Sequence, residues 1–95
     1  MSTAEAEILA AGLQAYPTIF ADLTTHAFTA EQDTDNSLEL YDLKGALVRK
    51  IAIGTAKANQ RYGYELRAEG LGKRLYLVRL TADTGTQTIK VIVEK

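Results

Sequence analysis

From Leu13 onward, apolar residues recur at alternate positions in short runs, and the runs are separated by glycine, proline or polar clusters. That period of two is the mark of half-buried β-strands. Leu13 to Pro17 reads as a first short strand, and Pro17 cannot donate to a ladder, so it belongs at an edge or a strand end. Asp22 to Phe28 is a second, with Leu23, Thr25 and Ala27 on one face. After the polar loop Glu31 to Asn36, Ser37 to Leu43 forms a third strand that points Leu38 and Leu40 inward. Lys44-Gly45 is a tight turn, with Gly45 as its left-handed residue. Ala46 to Ile53 follows, with Leu47, Ile51 and Ile53 on one face and Arg49 among them; Gly54 to Asn59 is loop.

Gln60 to Leu66 alternates Tyr62, Tyr64 and Leu66 against Arg61, Gly63 and Glu65. Leu75 to Leu80 is apolar on both faces, which predicts a central strand. Beyond the turn at Asp83-Thr84-Gly85, the run Gln87 to Lys95 alternates Ile89, Val91 and Val93 with Lys90, Ile92 and Glu94. About seven strands with almost no helix predict an all-β fold, a single immunoglobulin-like antiparallel β-sandwich over residues 13–95. Residues 1–12 are alanine-rich and read as a linker or a frayed helical turn.

The 95 residues suffice for one domain and not two. With no cysteine, the apolar core must hold the fold without disulfides. No segment approaches the roughly 20 apolar residues of a membrane helix. The first residues carry Glu5 and Glu7 and no base, so no secretory leader of the general kind is expected at the front. A cytoplasmic protein, or a domain from the end of a larger one, fits that front. The net charge of −1 conceals an asymmetry: residues 1–43 hold eight of the 12 acids, and all 11 Lys and Arg lie from Lys44 on. Either strands of the two halves interleave and the field cancels, or the C-terminal half carries a basic face.

Candidate catalytic motifs dissolve on inspection. Asp83-Thr84-Gly85 is the tripeptide of aspartic proteases, but it lacks the apolar flanks that seat a catalytic aspartate and fits a hairpin turn. Gly70-Leu71-Gly72-Lys73 resembles the end of a phosphate loop, yet Arg67 and Arg74 stand where Gly and Ser or Thr are required. Asp33-Thr34-Asp35 hints at calcium, but an EF-hand would need Gly at Leu38 and Glu at Lys44. His26, the single histidine, has no cysteine partners for a zinc site and reads as a strand-surface residue. Tyrosines 16, 41, 62, 64 and 76 read as core and rim packing before base or sugar stacking. No catalytic set, metal site or cofactor is expected.

Four strings in order remain. They are Ala15-Tyr16-Pro17-Thr18-Ile19-Phe20, then Leu38 to Val48 around Tyr41-Asp42-Leu43-Lys44-Gly45, then Leu75-Tyr76-Leu77-Val78-Arg79-Leu80, and finally Thr88 to Lys95. Together they resemble the C-terminal sorting domain of the type IX secretion system of Bacteroidetes. That family opens with a Tyr-Pro-Asn-Pro-Phe-like string, continues with a YDxxGxxV hairpin and a GxYxVRL strand, and closes on a strand ending in lysine. The resemblance covers residues 13–95. Thr18-Ile19 replaces the usual Asn-Pro, and Arg74 stands where the family has Gly, so the opening turn and the approach to the tyrosine strand are reshaped.

The resemblance implies a non-enzymatic signal domain at the end of an N-terminal cargo. The cargo would reach the periplasm by its own signal and cross the outer membrane to the surface or medium. Its partners would be the outer-membrane translocon or shuttle proteins, with sortase removal and attachment to anionic lipopolysaccharide in many members. Nucleic acid and insertion of the domain itself into a membrane are not implied. Recognition would fall on the last strand, Lys90, Val91, Ile92, Val93, Glu94 and Lys95. Tyr16, Pro17, Phe20, Tyr41, Asp42, Gly45, Tyr76, Arg79 and Gly85 would be the structural motif residues. Ala10-Ala11-Gly12 is the candidate cleavage stretch. The competing readings are an adhesive or carbohydrate-binding accessory sandwich, which surface tyrosines beside a groove would favour, and a structural spacer or oligomerisation module, which an exposed apolar edge with self-association would favour.

Overall fold

The computed structural model describes residues 12–83 and 85–95. Residues 1–11 of the expected linker, with Ala10-Ala11 of the candidate cleavage stretch, lie outside the described residues, and Gly12 is buried. Among the described residues eight strands form: β1 (Gln14–Tyr16), β2 (Ile19–Phe20), β3 (Leu23–Thr29), β4 (Thr34–Tyr41), β5 (Leu47–Ala56), β6 (Arg61–Arg67), β7 (Leu75–Ala82) and β8 (Gly85–Val93). They build two sheets, ordered β1-β3-β6 and β2-β8-β7-β4-β5. The sheets pack face to face as an immunoglobulin-like sandwich, and the expected all-β fold is what the chain adopts.

Pairing is antiparallel except between β2 and β8, which run parallel. β7 is central, between β8 and β4, as its two apolar faces require. β4, from the acidic half, lies between β5 and β7 of the basic half, so the two halves interleave.

The core fills the space between the sheets. Leu38, Leu40, Val78, Leu80, Val91 and Val93 come from the larger sheet, and Phe28 and Leu66 from the smaller. Phe28 stacks on Tyr62 at 5.6 Å and on Tyr64 at 6.3 Å between centroids. Tyr62, Tyr64 and Leu66 thus face inward, as their alternation predicts.

Three expectations need correction. In β3 the inward face is Thr24, His26 and Phe28, not Leu23, Thr25 and Ala27, although Ala27 is also covered. The register pairs these residues with Leu66, Tyr64 and Tyr62, and a one-residue slip would expel Phe28 from the core. His26 is therefore fully buried rather than a surface residue.

β5 does not keep one apolar face. Ala52 stands opposite Leu38 and Lys50 opposite Glu39; Arg49 stands opposite Leu40 and Leu47 opposite Tyr41. Ile51 and Val48 are the extra residues of two β-bulges, and each bulge reverses the alternation. Ile51 still packs on the core, but Leu47 is 47% and Ile53 67% exposed.

The third correction concerns strand bounds. The expected count of about seven agrees with the eight described strands, the added one being the two-residue β2, which is too short for a periodic pattern to reveal. β4 begins at Thr34, inside the expected loop, and β5 continues through Gly54 to Ala56.

Candidate functional site

β8 carries the candidate recognition residues, and its two halves differ. Val91 and Val93 are fully buried against the core. Ile92 is half-buried and Lys90 exposed, both on the outer face. At the end of the strand, β2 closes the edge: the Ile92 N–H donates to Thr18 O at 2.8 Å and the Glu94 N–H to Phe20 O at 2.8 Å. On the other side, the Val93 N–H donates to the Arg74 carbonyl at 3.0 Å. Backbone groups alternate sides along a strand. Thr86, Thr88 and Lys90 therefore turn theirs toward the β2 side, where β2 reaches only Ile92 and Val93. Among the described residues this edge from Thr86 to Lys90 pairs with no strand, although the Leu13 N–H leans on the Gln87 side chain at 2.8 Å. Beyond the strand, Glu94 pairs with Lys73 at 2.7 Å, which raises the lysine above its ordinary pKa, and Lys95 is exposed.

The motif residues surround this strand. Phe20 is buried beside Val93, its register partner. Tyr76 is buried opposite Val91 and donates its hydroxyl to the Gly72 carbonyl at 3.1 Å. Arg79 places its guanidinium 4.7 Å above the Tyr41 ring, and Tyr41 donates to Glu39 at 2.8 Å, which pushes the phenol above its usual pKa.

The β4–β5 hairpin shows why its motif needs an aspartate and a glycine. One Asp42 carboxylate oxygen accepts from the Lys44 and Ala46 N–H groups, each at 2.9 Å, and Gly45 adopts φ +88°. Tyr16 ends β1 on the other sheet, where it accepts from Arg61 at 3.0 Å, and a cis peptide joins it to Pro17 in the connection to β2. Gly85, at φ +139°, opens β8 at the opposite end of the sandwich.

Of the tempting motifs, Asp83 sits in the β7–β8 turn and faces the Asp35 N–H at 3.4 Å. Asp33 accepts from the Ala58 N–H at 2.8 Å. Tyr62, Tyr64 and Tyr76 serve packing, and Tyr16 is the tyrosine on the outer face of the smaller sheet. His26 lies between the sheets, neither ring nitrogen has a partner, and burial lowers its pKa to about 4.

Two features escaped the sequence pattern. One is the β2 clamp. The other is Arg49, which leaves β5 and donates to the carbonyls of Arg67 at 2.9 Å and Glu69 at 2.8 Å, tying the outer strand of one sheet to that of the other. Only an arginine placed among apolar residues hinted at it.

Fold and motifs together define a small β-sandwich whose last strand is buried at Val91 and Val93 and leaves its edge open from Thr86 to Lys90. Residues 14–94 match the family described as the secretion system C-terminal sorting domain, and the chain belongs to that family. The match supports a C-terminal sorting signal of type IX secretion, with its machinery and an N-terminal cargo as partners and export across the outer membrane as the outcome. Sorting domains of this family are generally non-catalytic. No curated protein and no solved structure matched the chain.

Proposed function

We propose that the folded sandwich is the address label and that the translocon, or a shuttle protein serving it, reads the C-terminal strand, pairing with its open edge from Thr86 to Lys90 and contacting the accessible residues of the stretch from Lys90 to Lys95. The observation that carries this is the open edge from Thr86 to Lys90, continuous with the exposed residues Glu94 and Lys95. An incoming strand would add there by β-augmentation, with main-chain bonds for affinity and the outward side chains Lys90 and Ile92 for selectivity. The cargo arrives in the periplasm by its own signal. After passage, a sortase releases the cargo near Ala10-Ala11-Gly12 and joins it to anionic lipopolysaccharide at the surface.

The test is export of a fluorescent cargo carrying a periplasmic signal and residues 1–95 in a Bacteroidetes host. The intact fusion should leave the cell and should stay periplasmic in a translocon-deficient strain. A Thr88→Pro variant should also stay periplasmic while remaining folded, because Thr88 turns its N–H outward and proline blocks an added strand. Secretion of Thr88→Pro at the parental level would refute edge recognition. Retention of the intact, folded fusion would refute the sorting role. Sequencing the N-terminus of any released domain tests the cleavage position.

A further inference from the structure

The outer face of the larger sheet is divided. Toward one end its cross-strand rows are polar: Thr88, Arg79, Glu39 and Lys50 form one row. Toward the end where β8 finishes, the rows turn apolar. Ile19, Ile92 and Leu75 form one, and Leu77, Tyr41 and Leu47 the next, with Lys90 at its border. These six side chains come from all five strands of the sheet and point away from the core. Ile19 is 56% exposed and Leu47 47%, while the four between them are half-buried. An antiparallel sheet normally gives its second face to water with polar residues, and a contiguous apolar area across a sheet marks an interaction surface.

We infer that this apolar face is the surface on which the secretion receptor docks, an inference that rests on the sorting role proposed above. The occupant is a protein surface with an apolar centre and an acidic border. Two observations select it. First, the border is basic: Lys50, Arg79 and Lys90 stand against Glu39, while Glu94 is occupied by Lys73. A second copy packed face to face would set this border against its own charge, whereas an acidic rim complements it. Second, Lys90 and Ile92 of the candidate recognition strand point onto this same face, so strand edge and apolar patch form one continuous surface.

The test uses the cargo fusion with Ile19→Ser, Leu47→Ser and Leu77→Ser combined, and Ile53→Ser as an exposed apolar control outside the patch. The triple variant should keep the parental melting transition, and its secreted fraction should fall about ten-fold, while the control is secreted as the parent. Lys50→Glu with Lys90→Glu should weaken secretion several-fold in the same direction, and this pair decides the matter if the triple variant fails to fold. Parental secretion of the folded triple variant, or of the charge-reversed pair if the triple variant does not fold, overturns the inference. So does a dimer in sedimentation that the triple substitution abolishes, or binding to phosphatidylglycerol vesicles that it abolishes. If the intact fusion is itself retained, the sorting role fails and this inference falls with it. If only Thr88→Pro is secreted normally, edge recognition fails while the face inference stands.

Discussion

At the residue scale, His26 gives the domain a pH dependence. Its folded pKa, about 4, lies below the ordinary value of 6.5, so the unfolded chain binds the proton more readily. The stability associated with neutral His26 is complete above pH 6.5 and declines as pH falls toward 4. A shift of this size corresponds to about 3 kcal/mol at most. Urea unfolding at pH 7 and pH 4.5 should show a larger loss in the parent than in His26→Leu; equal losses would contradict the burial account. Asp42→Ala removes the acceptor of two backbone N–H groups and should cost about 1–2 kcal/mol in the same assay. Arg49→Met keeps the aliphatic stem but removes two bonds between the outer strands, with a similar expected cost. Asp42 was legible because its partners lie two and four residues away. The partners of Arg49 lie 18 and 20 residues away, beyond any local pattern.

At the element scale, strands with one dominant periodicity were readable, and strands with bulges or mixed faces were not. β7 and β8 follow their alternation because Val78, Leu80, Val91 and Val93 all need the core. β5 breaks it twice, and nothing in Leu47 to Ile53 signals which residue bulges, since the bulge arises from its pairing with β4. Within β8 the burial of Val91 can be tested directly. Val91→Thr preserves shape but places a hydroxyl in the core, and should cost about 1–3 kcal/mol by denaturant midpoint. Lys90→Thr, on the exposed face of the same strand, should cost less than 0.5 kcal/mol or so.

At the scale of the whole molecule, the strand proposed to carry the signal also completes the fold. Removing Ile89 to Lys95 takes away Val91 and Val93, both fully buried, and strips β7 of a neighbour. The truncated chain should lose its cooperative melting transition, measured by circular dichroism. Loss of export after truncation would then report unfolding rather than a missing signal, which is why the edge and face variants are the informative ones. The interleaving of β4 between β5 and β7 also mixes the charge of the two halves within one sheet, where Glu39 of β4 stands between Arg79 of β7 and Lys50 of β5.

The sequence by itself determined the all-β class, the glycine turn at Gly45, the central place of β7 and the family motifs. Each of these rests on spacing within one run of chain, where steric and hydrophobic preferences act locally. Only the tertiary structure decided which face of β3 is inside, where β5 bulges, that β2 clamps Ile92 and Glu94, and that six apolar side chains from five strands meet on one outer face. Those outcomes depend on register between segments far apart in sequence, and register is settled by the partner strand and by the core that all strands fill together.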